Sequence, residues 1–212
     1  MSLTISASQV ASLIANPSSI SGYSSSGPII ITGAITFTQA SSLNAVDATY
    51  IQATVSETTV ANLGTIAVNN SSRSSLNKFT FVVSDTSATA AELNTVQAKT
   101  SVAVDASNLN SIEASSVSDL TTLYTASTTK PVPTGLTATP LTVSDTTAVA
   151  TELEAINKFT TGKVTSSAAT ITGLAADVKA LLAQNDNTVL KVDGDVAITL
   201  TDTTIDSAVL NT

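Results

Sequence analysis

The hydrophobic pattern changes its period within a stretch that occurs three times along this chain. In the copy Leu141–Ile156, apolar residues first alternate over Leu141–Val143, which is the period of a β-strand. They then recur at Val149, Leu153 and Ile156, a spacing that forms one face of a helix. The pattern therefore predicts a short strand, a turn, and a helix of two to three turns.

Two further copies of this stretch begin at Phe81 and Ile198, and an aspartate marks the same place in each copy. These residues are Asp85, Asp145 and Asp202, at spacings of 145 − 85 = 60 and 202 − 145 = 57 residues. Such a period indicates a repeat protein, in which each unit buries its apolar face against its neighbours. An aspartate between strand and helix can accept hydrogen bonds from the first N–H groups of the helix that follows, so we predict a capping role. A ladder of ion-binding carboxylates along one edge is the alternative.

A second helical face lies between the copies, at Leu174, Val178, Leu181 and Leu182, with a counterpart in 117–124. The shortest gaps between predicted strands are 55 − 37 = 18 and 104 − 83 = 21 residues. A repeat of roughly 20 residues with one strand and one helix is typical of leucine-rich repeats. The sequence therefore predicts a solenoid of short parallel strands alternating with short helices. A right-handed parallel β-helix is the alternative, because Thr and Val favour strands.

The domain organisation follows from the same repeats. We predict one solenoid domain over 1–212, with irregular repeats in 1–79, full repeats in 80–140 and 141–197, and a truncated repeat in 198–212. The last copy stops partway through its predicted helix, and no polar capping repeat follows it. We therefore expect the chain to be a fragment of a longer array.

Composition adds to this picture and narrows the function. The chain is 42% hydrophobic but only 3% aromatic, so its core must consist mainly of small aliphatic side chains in thin layers. A net charge of −8 argues against a nucleic-acid partner, because phosphates require a basic surface. No apolar run reaches the roughly 18 residues of a membrane span, so membrane insertion is not expected. The absence of His and Cys removes His-based catalytic triads, His-ligated zinc and thiolate metal sites, so we predict that the chain is not an enzyme.

Calcium is the one ligand that the side chains favour, and no other cofactor is expected. Asp186, Asp193 and Asp195 lie within 185–195, a carboxylate-rich segment of the kind that hard cations use. The Gly-rich nonapeptide of calcium-binding β-rolls is absent, and ordinary Asx turns are the alternative reading of these aspartates.

Catalytic arrangements of other kinds find little support in the sequence. Ser75 and Lys78 form a Ser-x-x-Lys element, but the partner motifs of penicillin-recognising enzymes are missing. Glu152 and Glu154 are two residues apart on one helix, so they point to different faces and cannot act together on one bond. A β-helix enzyme that acts on polysaccharide with carboxylates alone is an unfavoured alternative. Two dispersed tyrosines, Tyr50 and Tyr124, are the candidates for stacking against sugar rings.

The repeats also carry a resemblance. The segments 143–148, 152–156 and 171–178, which read VSDTTA, ELEAI and ITGLAADV, are similar to Thr/Ala/Asp-rich repeats in very large proteins of marine cyanobacteria. Those proteins are grouped with secreted or cell-surface proteins of the RTX or hemolysin type, and the resemblance covers residues 80–212. It implies an exported repetitive protein and supplies no catalytic residues.

These observations predict a non-catalytic structural or interaction module of a secreted or cell-surface protein, with a role in adhesion or in a surface layer. Its expected partners are neighbouring repeats of the parent chain, other copies of the chain, or surface glycans. A calcium-stabilised exported repeat, toxin-like or adhesin-like, is the alternative.

Overall fold

Short strands and short helices alternate along the part of the chain that the structure describes. A computed structural model of the protein describes residues 1–67, 75–127, 130–184, 190–192 and 195–204. The strands and α-helices, in chain order, are β1 (Leu3–Ser6), α1 (Val10–Ala15), β2 (Ile29–Ile35), α2 (Phe37–Ser42), β3 (Ile51–Val55), α3 (Val60–Gly64), β4 (Lys78–Thr80), β5 (Ser87–Ala88), α4 (Ala90–Gln97), β6 (Ser111–Ser115), α5 (Val117–Tyr124), β7 (Leu141–Val143), β8 (Thr147–Val149), α6 (Ala150–Phe159), β9 (Val164–Ser166), β10 (Thr170–Gly173), α7 (Ala175–Ala183), β11 (Leu190–Val192) and β12 (Ala197–Leu200). Three single-turn 3₁₀ helices accompany them at Ala7–Gln9, Pro17–Ser19 and Leu43–Ala45.

The chain forms two compact units. The first consists of residues 1–85, 92–108 and 125–134. Its sheet has four parallel strands in the order β1-β2-β3-β4, so strands that follow one another in the sequence are neighbours in space. In β3 the alternation of buried and exposed residues buries Ile51, Ala53 and Val55. The strand period predicted from such alternation is therefore present here.

The second unit consists of residues 86–91, 109–124 and 135–212, and it contains two sheets. One sheet has five parallel strands in the order β11-β9-β7-β6-β5, and the other has three in the order β12-β10-β8. From β7 onward, consecutive strands therefore go to different sheets: β7 joins the five-stranded sheet, and β8, which begins four residues after β7 ends, joins the three-stranded sheet. A helix follows each of β8 and β10 and leads the chain back to the five-stranded sheet.

The predicted solenoid is wrong, as is its β-helix alternative. The observed architecture is an α/β fold, with parallel strands and helices arranged in three separate sheets. A leucine-rich-repeat-like solenoid places one strand per repeat in one continuous sheet, whereas here the repeat 141–197 supplies β7, β9 and β11 to one sheet and β8 and β10 to another. The second strand was missed because Thr147–Val149 reads as the beginning of a helical face.

Val149 shows why strand β8 is mistaken for the start of a helix when only the sequence is considered. It is the last residue of β8 and is 37% exposed, whereas Ala150, Leu153 and Ile156 form the buried face of α6. The predicted helical face therefore begins one residue too early. The face predicted at Leu174–Leu182 has the same fault, because α7 buries Ala175, Val178 and Leu181 and leaves Leu174 and Leu182 exposed.

Threonine contributes to the interior as well as to the surface. Thr100 is fully buried, and its hydroxyl donates to the carbonyl oxygen of Phe79 at 2.6 Å. Thr160, at 160 − 100 = 60 residues further on, is 5% exposed and donates to the carbonyl oxygen of Thr139 at 3.0 Å. Because a buried hydroxyl must find a partner, these bonds allow a core with few aromatic residues to include Thr.

Among the described residues, no helix combines the length and the apolar character that crossing a membrane requires.

Candidate functional site

The three repeated aspartates have one common role. The Oδ2 atom of each accepts a hydrogen bond from the N–H group of the first residue of an α-helix, and each of these bonds is 2.7 Å long. The pairs are Asp85 with Val60 of α3, Asp145 with Val117 of α5, and Asp202 with Ala175 of α7. The aspartates therefore cap helices, but these helices precede them in the sequence by 25, 28 and 27 residues. The prediction that the aspartate caps the helix that follows it is wrong for Asp85 and Asp145, whose bonds go to earlier helices, whereas the residues that follow 204 lie outside the described part of the chain.

The pairing of parallel strands explains this geometry. Strand β7 lies beside β6, with Val143 opposite Ser115. Two residues beyond that pair, the chain reaches Asp145 on one strand and Val117 on the other, at the point where α5 begins. The aspartate therefore meets the start of its neighbour's helix, while β8 separates it from α6. Helix α6 itself begins at Ala150, and Val149 at its N-cap position provides no side-chain hydrogen bond.

Helices α4 and α6 begin differently from α3, α5 and α7. The Oγ atom of the buried Ser115 accepts from the N–H group of Ala90, the first residue of α4, at 2.9 Å. At the start of α6 the corresponding neighbour is Gly173, where a Cβ atom would lie 3.2 Å from the Cβ of Ala150. In α3 to α7, the first residue of the helix is therefore met by an aspartate, a serine or a glycine from a later part of the chain.

A groove of about 600 Å³ lies between α5 and α6 in the second unit. Helix α5 contributes the hydroxyl groups of Ser118, Thr121 and Thr122, and Val117 and Ala155 add apolar surface. A cavity of this size is within the range of roughly 300–1,000 Å³ that small ligands occupy.

Two carboxylates give this groove its charge. Asp145 and Glu152 both line it, together with the hydroxyl of Thr151. Glu154, two residues along α6, lies elsewhere and accepts from Nε2 of Gln184 at 3.4 Å. The two glutamates therefore face different neighbours, as their spacing predicts. We call the space lined by Asp145, Glu152 and the four hydroxyl residues the α5/α6 groove.

Two of the three residues of the predicted calcium site lie outside the part of the chain that the structure describes. Asp186 and Asp193 are outside the described residues, and Asp195 is an exposed residue that precedes β12. Within the described ranges, no group of three or more acidic residues is arranged to hold a metal ion. The calcium site at Asp186, Asp193 and Asp195 remains a prediction.

The two candidate tyrosines take part in packing within their own units. Tyr124 is stacked on Phe159, with ring centroids 5.3 Å apart and planes inclined by 8°. Burial raises the pKa of its phenol to about 12, and a hydrogen bond with Thr160 opposes that rise. In the first unit, the Nζ atom of Lys78 lies 4.3 Å from the centre of the Tyr50 ring. Lys78 is thus in a cation–π contact with Tyr50.

The α5/α6 groove was not predicted from the sequence. Its side chains come from two helices and a strand end, and their residue types are common throughout the chain. A comparison of the chain with protein-family models, with curated proteins and with solved structures found no match.

Proposed function

We propose that this chain is a non-catalytic structural and interaction module of a secreted or cell-surface repeat protein, acting in adhesion or in a surface layer. The observation that carries this proposal is the use of polar side chains as links between segments that are distant in the sequence. Asp145, Ser115 and Thr160 each form a hydrogen bond to the backbone of a residue at least 21 positions earlier. These three side chains thus hold strands and helices that are distant in the sequence together.

The character of the exposed side chains supports the same proposal. The outer residues of the three-stranded sheet include Thr147, Thr199 and Val149, which are exposed and uncharged. Only 11% of the whole chain is charged. A hydroxyl-rich surface with few charges suits contacts with other copies of the chain or with surface glycans, which present many hydroxyl groups of their own. Secretion or surface display is the setting in which such contacts would occur.

The proposal is tested by measuring association directly. Sedimentation velocity of the purified chain over a wide concentration range reports self-association, and binding of the labelled chain to a glycan panel and to intact cells reports adhesion. An acidic monomeric protein of similar pI serves as the control for non-specific binding. We expect concentration-dependent association or saturable binding that exceeds the control. A chain that stays monomeric and binds neither glycans nor cells above the control would contradict the proposal.

A further inference from the structure

We propose that the α5/α6 groove binds a cationic amino sugar, with the carboxylate of Glu152 accepting from the ammonium group. This inference rests on the interaction role proposed above and names the chemical class of partner. The groove belongs entirely to the second unit, and its volume of about 600 Å³ is within the range of sites that bind small ligands.

The charge of the groove selects a cation. Asp145 and Glu152 contribute two carboxylates, and neither Lys nor Arg is among the described residues that line the groove. Glu152 is exposed and makes no hydrogen bond or ion pair with any residue that the structure describes. Its carboxylate is therefore open to a ligand.

The hydrogen-bond donors and acceptors of the groove define its ligand more closely than the charge of the groove does. An ionised carboxylate only accepts hydrogen bonds, whereas an ammonium group has three donors and no acceptor. Asp145 uses Oδ2 to accept from Val117, and its Oδ1 atom makes no hydrogen bond with a described residue. The groove therefore presents more acceptors than donors, and a partner with an ammonium group would complement it.

The hydroxyl groups of the groove favour a sugar as the carrier of that ammonium group. Ser118, Thr121 and Thr151 are exposed residues, and each hydroxyl can both donate and accept. The hydroxyl of Thr122 already donates to the carbonyl oxygen of Ser118 at 2.9 Å, so it remains as an acceptor. Alternating donors and acceptors of this kind match the hydroxyls of a pyranose ring.

A neutral sugar is less well matched. No aromatic side chain is among the described lining residues, so the groove has no flat surface on which an uncharged ring could stack. Hydrogen bonds to an ionised group are roughly twice as strong as those between neutral groups. The groove should therefore distinguish amino sugars from neutral sugars through the ammonium group.

The test is a titration of the full chain with a water-soluble glucosamine oligomer, followed by NMR or calorimetry at low salt. A pH of about 6 keeps the amines protonated, because it lies below the ordinary pKa of an α-amine. The N-acetylated oligomer of the same length is the ligand control. Glu152→Gln is the test variant, and Glu154→Gln is its matched control, since each removes one negative charge from the same helix.

We expect the glucosamine oligomer to bind and the N-acetylated oligomer to bind much more weakly. Glu152→Gln should weaken binding by about fivefold, the upper range for a solvent-exposed ion pair, while Glu154→Gln changes it by less than about twofold. Circular dichroism checks that both variants are folded. Equal binding of the two oligomers, equal weakening by the two variants, or no binding would each overturn the inference.

The two proposals fail separately. A chain that self-associates or binds cells but ignores the glucosamine oligomer loses the groove inference and keeps the interaction role. A chain that is inert in every assay loses both.

Discussion

The Oδ2 atom of Asp145 accepts a hydrogen bond of 2.7 Å from the backbone N–H group of Val117, although the two residues are 28 positions apart. The bond connects the end of β7 to the start of α5, so one repeat supplies the cap for the helix of the repeat before it. The same connection occurs at Asp85 and Asp202. The conspicuous aspartates of the sequence are therefore links between repeats.

Replacing Asp145 with Ala should reduce the stability of the second unit. The N–H group of Val117 would lose its partner at a residue that is only 9% exposed. We expect the free energy of unfolding to fall by about 1–2 kcal/mol, the usual cost of removing a helix cap. Urea denaturation followed by circular dichroism measures the change.

Asp195→Ala is the control for the loss of one negative charge, measured with chelator present. Asp195 is exposed, so its replacement should change the stability by less than about 0.5 kcal/mol. Equal effects of the two substitutions would show that the hydrogen bond to Val117 contributes nothing.

The sequence predicted local structure well where one period dominates. The strand β7 and the buried residues Leu153 and Ile156 of α6 lie where the alternating and helical spacings indicate. It failed at Thr147–Val149, because three residues are too few to distinguish a strand from the first turn of a helix. Assigning that segment to a helix removed a whole sheet from the predicted fold.

The capping partner and the groove could not be predicted for a different reason. Both depend on which strands are neighbours, and this information is not contained in the spacing of apolar residues. Once Ser115 is known to lie opposite Val143, the contact between Asp145 and Val117 follows. Glu152 gave no signal of its own, because an exposed glutamate near the start of a helix is ordinary.

Alkaline pH should destabilise the second unit through Tyr124. Burial raises the pKa of this phenol from 10.0 to about 12 in the folded state, so the folded chain holds the proton more tightly than the unfolded chain. The stability due to the neutral phenol is fully present below about pH 10 and is lost as the pH rises from about 10 to 12. We expect the urea midpoint of the natural chain to fall across this window.

The variant Tyr124→Phe has no phenol to ionise, so its midpoint should fall less steeply over the same window. Tyr50→Phe, in the first unit, is the matched control and should keep the slope of the natural chain. If the urea midpoints of all three chains fell equally with pH over this window, the loss of stability could not be due to Tyr124.

The predicted calcium site has a direct thermal test. If Asp186, Asp193 and Asp195 bind calcium, a concentration 100 times the dissociation constant should stabilise the fold by about 2.7 kcal/mol. The melting temperature should then rise with calcium and return to its starting value with chelator. Asp195→Asn should reduce the rise, and magnesium serves as the control cation. A melting curve that neither calcium nor chelator changes would remove the site.

Gly162 should tolerate no side chain. A Cβ atom there would lie 2.5 Å from the carbonyl oxygen of Ala138 and 2.5 Å from the carbonyl carbon of Thr139, both of which belong to the backbone. The segment is also held against 137–139, because the N–H group of Thr161 donates to the carbonyl oxygen of Thr137 at 2.8 Å and the hydroxyl of Thr160 donates to the carbonyl oxygen of Thr139 at 3.0 Å. We expect Gly162→Ala to cost about 3 kcal/mol or to prevent folding of the second unit.

The matched control for this substitution is Gly64→Ala, in the last position of α3. There a Cβ atom would meet Cγ2 of Thr95 at 3.6 Å, which is an ordinary van der Waals contact. Because Ala also has less conformational freedom to lose than Gly, this change should be neutral or stabilise by up to about 1 kcal/mol. Urea denaturation of both variants makes the comparison, and Gly162→Ala unfolding at the midpoint of the natural chain would mean that the backbone near Thr139 yields easily. In that case the close approach of these two segments would not be a fixed feature of the fold.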